Sequence, residues 1–231
     1  MRRVLRRIGA VASLAALVAG GLSAADPIAK GRLRILRQGQ LIGSERYEVV
    51  TTATEVQTRG ELELTVEHTT VRQSASLLLS ADLAPRHYEL KVEQPEATWR
   101  RINFSGTSAT ARYPLGEGKE DEQVFEFGAG RVAILGLYHD FALLARLYDL
   151  SKGGAQSIRV FVPWSLQPGE ALVELKGVEK QSVGGREQSV RQFLITTEDS
   201  QVLLWVTEGG QFVRLLAPLE GVEVLPEPAA P

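Results

Sequence analysis

The groups able to do acid–base or metal chemistry are few. The 231-residue chain holds three histidines, His68, His87 and His139, and no cysteine. His139 is followed by Asp140, and a carboxylate beside an imidazole can orient a general base. No G-x-S-x-G or other nucleophile signature accompanies the pair. A hydrolase built on His139 and Asp140 therefore needs a Ser, Thr or Tyr hydroxyl delivered by the fold. The simpler reading places both residues on the solvated side of a helix, with Arg146 and Asp149. The histidines show no H-x-H, H-x-x-x-H or H-E-x-x-H spacing, so no metal ligand is assigned. Glu120-Asp121-Glu122, beside Lys119, lacks the calcium-loop pattern. No pair for glycoside hydrolysis stands out, because alternation already explains the strand-borne glutamates as outward-facing.

Gly128-Ala129-Gly130-Arg131-Val132-Ala133 has the G-x-G-x-x-A form of a dinucleotide fingerprint, with Asp149 about twenty residues on. That motif works where a helix returns the chain to a parallel strand. A chain of antiparallel strands with one helix is not expected to supply this, so the glycines are read as a turn. No cofactor is assigned, and no catalytic residue.

The elements that must position these groups are a helix and many strands. From Arg131 to Leu150, residues Ile134, Leu137, Tyr138, Phe141, Leu144, Ala145 and Tyr148 recur at three- and four-residue steps. The spacing predicts one principal helix near 134–150. Gly136 weakens its start, so the regular part is expected from about Tyr138, and Gly153-Gly154 ends it. Elsewhere the pattern alternates, most cleanly in Glu61-Leu62-Glu63-Leu64-Thr65-Val66-Glu67, which predicts a sheet with one wet face. Eleven or twelve strands are counted, with turns at residues 39–43, at Ala81–Pro85, at Gly184-Gly185 and at Gly209-Gly210. Leu115 to Gln123 is read as a charged loop. The fold class is mostly β: a curved antiparallel sheet, as a half-open barrel or two stacked β subdomains, closing on the helix.

Arg2, Arg3, Arg6 and Arg7 precede a short apolar run from Val11 to Val18 and the small residues Ser23-Ala24-Ala25. Residues 1–25 read as a signal peptide cleaved near Ala25, which predicts an exported, periplasmic protein. Cleavage leaves 22 basic against 28 acidic side chains, a net charge of −6. Nucleic acid and anionic membranes are poor partners for such a chain. No transmembrane segment is expected in the mature chain. Residues 26–225 form one antiparallel β domain, and 226–231 a proline-rich disordered tail.

Certain features are similar to bacterial exported β-rich families of unknown function. They are Gly43 opening the second strand, the Asp82-Leu83-Ala84-Pro85 turn, Tyr138-His139-Asp140-Phe141, and the run from Leu204-Trp205-Val206-Thr207 to Phe212-Val213-Arg214. The last hairpin also resembles that of LolA/LolB-type lipoprotein carriers. That resemblance implies a half-open barrel around a helical lid, holding acyl chains. The chain departs from those carriers in lacking a lipidated cysteine and in showing one clear lid helix.

The aromatic residues concentrate on or after the helix. Tyr138, Phe141, Leu144, Trp164 and Trp205 are the expected lining of an apolar pocket between sheet and helix. The leading reading is a non-catalytic module binding a lipid, another apolar ligand or a lipid-modified partner such as a lipoprotein. The alternative is an envelope structural or protein-interaction domain with no small ligand.

Overall fold

The computed structural model describes residues 27–228. The expected signal peptide and the last three residues of the expected tail lie outside that range.

The N-terminal half is a meander of eight antiparallel strands: β1 (Pro27–Arg37), β2 (Gln40–Thr51), β3 (Glu55–Val66), β4 (Thr69–Ser80), β5 (Pro85–Gln94), β6 (Thr98–Ser105), β7 (Ser108–Gly116) and β8 (Lys119–Glu126). Period-two alternation explains their faces. In β3, Val56, Thr58, Gly60 and Leu62 are buried, while the residues between them are polar and reach water. Several hairpins turn through residues with positive φ. Gln38-Gly39 takes φ of 51° and 80°, and Glu67-His68 takes 49° and 71°. His68 thus sits in an exposed two-residue turn instead of a strand. The charged run at 119–123 is also strand: β7 turns tightly through Glu117-Gly118, and Arg112 Nε donates to Glu122 Oε2 at 2.7 Å across the pair.

The C-terminal half begins with β9 (Val132–Ile134) and the helix α1 (Asp140–Arg146), then runs through β10 (Ala155–Val162), β11 (Gln167–Val183), β12 (Arg186–Thr196), β13 (Gln201–Thr207), β14 (Phe212–Ala217) and β15 (Val222–Pro226). Among the described residues, fifteen strands form one sheet in the order β8-β7-β6-β5-β4-β3-β2-β1-β15-β14-β13-β12-β11-β10-β9. First and last strands pair, with Arg34 opposite Leu225, which fuses the halves into a single curved sheet. Pro226 closes β15, and Glu227 N–H donates to Arg32 O at 2.7 Å, so the start of the expected tail is tied to β1.

The sheet curls until its two edges approach. Phe161 on β10 meets Phe125 of β8 at 5.1 Å between ring centroids, and Phe127 just beyond β8 at 5.6 Å, both edge-on. Phe104 of β6 completes the cluster at 6.3 Å from Phe161. Aromatic packing closes the barrel-like body where no backbone ladder does.

The helix is much shorter than its apolar spacing predicts, seven residues against about seventeen. Ile134 satisfies the helical period, yet it is buried with Val132 and Ala133 in a strand parallel to β10. A fully buried strand is apolar on both faces, so three residues of it fit either period. The parallel β9–α1–β10 crossover is itself unexpected. Gly128 and Gly130 nevertheless precede β9 instead of leading into the helix. They pack under Arg159, whose guanidinium donates to Ala129 O.

Candidate functional site

Between β9 and α1 the chain crosses the inside of the sheet as a strap, Leu135 to His139. Four consecutive backbone N–H groups of this strap are claimed by two carboxylates. Asp140 Oδ2 accepts from Gly136 N at 3.1 Å and Leu137 N at 2.8 Å. Glu45, on the inner face of β2, accepts from Tyr138 N at 2.7 Å through Oε2 and from His139 N at 3.0 Å through Oε1. The same Oε1 lies 2.8 Å from His139 Nδ1, and His139 Nε2 lies 3.4 Å from Asp140 Oδ1.

Glu45, His139 and Asp140 are at most 2% exposed. The imidazole lies flat on the Tyr47 ring, 5.2 Å between centroids and 9° from parallel. Nδ1 is placed to donate to Glu45 and Nε2 faces Asp140, so the ring bridges two carboxylates. Nε2 and Oδ1 lack the alignment of a hydrogen bond, so that side of the bridge is attraction between charges.

The ionisation follows the geometry. Burial pulls the His139 value down, but the Asp140 charge, the hydrogen bond to Glu45 and the Glu45 charge outweigh it and hold the imidazole above its ordinary range. Burial pushes Asp140 up, and the His139 charge and the strap N–H groups only partly reverse this. Tyr88, whose buried hydroxyl has no hydrogen-bond partner, is raised well above its usual range by burial and then by Asp140 and Glu45. Tyr138 is pushed up to about 12 by burial and the Glu45 charge.

Close approach depends on two glycines. A Cβ at Gly60 would lie 2.4 Å from Leu137 Cδ1 and 2.9 Å from His139 Cε1; one at Gly136 would lie 2.1 Å from the Tyr88 hydroxyl oxygen. Both positions admit the strap because they lack a side chain.

His139 and Asp140 are therefore core groups, contrary to the solvated helix face expected for them. Glu45 was absent from the expected candidates, although it carried a signal. It falls in phase with Tyr47 and Val49, the inward residues of its strand, and a glutamate on that face needs partners.

The five residues expected to line an apolar pocket do not meet around one. Leu144 is fully buried and lines a void of about 10 Å³ with Leu77, Leu79, Leu83, Val132–Ile134, Leu143 and Leu147, room for about one water. Tyr138 and Phe141 are half-buried, and Trp205 is buried on β13 with the Arg214 guanidinium 5.0 Å above its ring. Trp164 is 50% exposed in the turn after β10. Among the described residues no cluster of three His, Cys, Asp or Glu is placed to hold a metal, and no helix is long and apolar enough to cross a membrane.

A larger concavity lies on the opposite side of the sheet. It is a trough of about 660 Å³ over the outer face of β1 to β5.

No family model matches the chain, and no curated protein does. Among solved structures it is similar to a β-barrel-like protein of the domain of unknown function DUF1849 from Brucella abortus. The TM-score is 0.61 at 9% identity, over 86% of this chain and 93% of that one. A DUF1089 family protein from Pseudomonas aeruginosa gives a TM-score of 0.44 at 14% identity, over 73% of this chain and 87% of that one. The first likeness is one of fold: both bodies are barrel-like sheets.

Proposed function

We propose that the protein is an exported, non-catalytic binding module of the envelope that uses a solid barrel-like scaffold and presents its ligand surface on the outside of the sheet. The observation that carries this reading is the filled interior. The strap and α1 occupy the space that a lipoprotein carrier would leave for acyl chains, and the void beside Leu144 is about 10 Å³. Small-molecule sites are usually of about 300–1,000 Å³, a range that the outer trough meets and the void does not. The His139–Asp140 pair is spent on structure, since every hydrogen bond of Glu45 and Asp140 goes to the strap. A general base needs reach to a substrate proton, and these groups are sealed from solvent.

The test is native mass spectrometry of the mature protein purified from the periplasm, followed by lipid extraction. The reading expects export and a mass free of acyl lipid, with no uptake of added palmitate or phosphatidylethanolamine. A stoichiometric co-purifying lipid, lost in a folded Phe141→Asp variant, would overturn it and restore the carrier reading.

A further inference from the structure

We infer that the outer trough of β1 to β5 is a binding site for a soluble, multiply charged phosphate-bearing small molecule. This deepens the preceding reading by naming the class of ligand.

The trough exists because of one column of short side chains. Two rows of outward residues cross the five strands in register: Lys30, Glu48, Arg59, Ser76, Glu89, and Arg32, Arg46, Glu61, Ser74, Lys91. On β4 both rows place a serine between long charged neighbours, so the surface dips there and two hydroxyls form its floor. Behind the floor, the inward residues Tyr47 and Gly60 are pinned by His139 and the strap. The site is therefore held rigidly from inside, which lowers the ordering cost of binding.

Five cations and three carboxylates line the trough, an excess of two positive charges on a mature chain of net charge −6. Two of the carboxylates are already engaged. Glu61 is 3.7 Å from Arg46. Glu89 is 3.2 Å from Arg101 on β6 and 3.7 Å from His87. Arg32 is occupied by Glu227 at 3.6 Å and by the Ser44 hydroxyl at 3.1 Å. Lys30, Arg59 and Lys91 have no carboxylate within 4.0 Å among the described residues, leaving only Glu48 unpaired against them. Arg59 lies opposite Ser76, and Lys91 opposite Ser74, so two of the three free cations flank the hydroxyls diagonally. Guanidinium, ammonium and hydroxyl donors around one dip match a phosphate's acceptor oxygens, and a multiply charged ligand would satisfy both rows. The acidic body around the trough disfavours a flat anionic membrane, which is why the ligand is assigned as soluble.

The test titrates inorganic pyrophosphate into the mature protein by calorimetry and by amide chemical shifts, with phosphatidylglycerol vesicles as a second arm. Saturable binding at one site per chain is expected, with shifts centred on Ser74, Ser76 and Lys91 and weakening as salt is raised. Arg59→Glu with Lys91→Glu should weaken it at least ten-fold without moving the urea midpoint, and Arg186→Glu, on the remote hairpin, should leave it unchanged. Shifts elsewhere, equal binding by the double variant, vesicle binding alone, or no binding would each overturn the inference. A flat pyrophosphate titration with a lipid-free native mass would sink this inference only. A co-purifying acyl lipid would sink the reading beneath it.

Discussion

Replacing Glu45 with leucine tests the brace at its centre. The carboxylate accepts three hydrogen bonds, from Tyr138 N, His139 N and His139 Nδ1, at 2.7, 3.0 and 2.8 Å. Leucine fills comparable volume but strands two buried backbone donors, each costing about 1–3 kcal/mol when unsatisfied. It also leaves the imidazolium with Asp140 alone, and breaking one side of a buried ion pair costs about 3–5 kcal/mol. The two figures describe the same loss by different routes and should not be added. The expected destabilisation is therefore about 3–5 kcal/mol. Against a whole-domain stability of about 5–15 kcal/mol that is severe, and for a domain of this size it lowers Tm by roughly 6–20 °C. Urea unfolding followed by tryptophan fluorescence measures it. Glu45→Leu with His139→Phe removes charge on both sides while keeping a ring on Tyr47, so the double variant should lose less than the sum of the singles, by more than about 1 kcal/mol. A single-variant loss below about 1 kcal/mol, or strict additivity, would refute the brace and leave apolar packing as what holds the strap.

Three further outcomes follow from the same geometry. His139 is raised from 6.5 when folded, so the stability its proton contributes is complete below about pH 6.5 and is lost as pH climbs through the folded value; Asp140, raised from 3.8, acts with the same sign at lower pH, and Tyr47, Tyr88 and Tyr138 facing the cluster titrate higher still. The urea midpoint should fall as pH rises above about 6.5 in the parent and flatten in His139→Phe; parallel curves would be the wrong result. Gly60→Ala forces a methyl to 2.4 Å from the buried Leu137 Cδ1 and should cost about 1–3 kcal/mol by thermal denaturation. Phe161→Ala should cost about 3–5 kcal/mol and, because its ring joins the two sheet edges, should release the amide protons of β8 to exchange before those of β2 or β3.

The sheet was legible because a half-buried strand announces itself twice per turn of the pleat. The alternation in β3 and the turn at Gly184-Gly185 stand where the sequence puts them, and the turn expected at Ala81–Pro85 is one residue shorter because Pro85 opens β5. Sequence and structure part where one residue pattern serves two structures. Ile134 fits the helical spacing that runs on to Tyr148, so the end of a buried three-residue strand reads as the start of the helix. Lys119 to Gln123 is polar on both faces because β8 is an edge strand, where charge guards against unwanted pairing and burial imposes no alternation. The pairing of β1 with β15 depends on residues nearly two hundred positions apart, which no local pattern encodes.

The site was harder to see for a related reason. Hydropathy assigns His139 and Asp140 to water because it scores each side chain alone, whereas the fold stabilises them by bringing Glu45 from 94 residues away. Phase was the available clue: a glutamate in step with Tyr47 and Val49, and a glycine in step with Val56, Thr58 and Leu62, mark the spot where something polar must press on the sheet from within. Apolar spacing likewise foretold that Leu144 is buried, but it is silent on whether burial surrounds a cavity or a solid. In this chain the strap crosses the inside of the sheet, and Glu45 and Asp140 hold it there. A trough lies on the outer face, where two serines interrupt the charged rows.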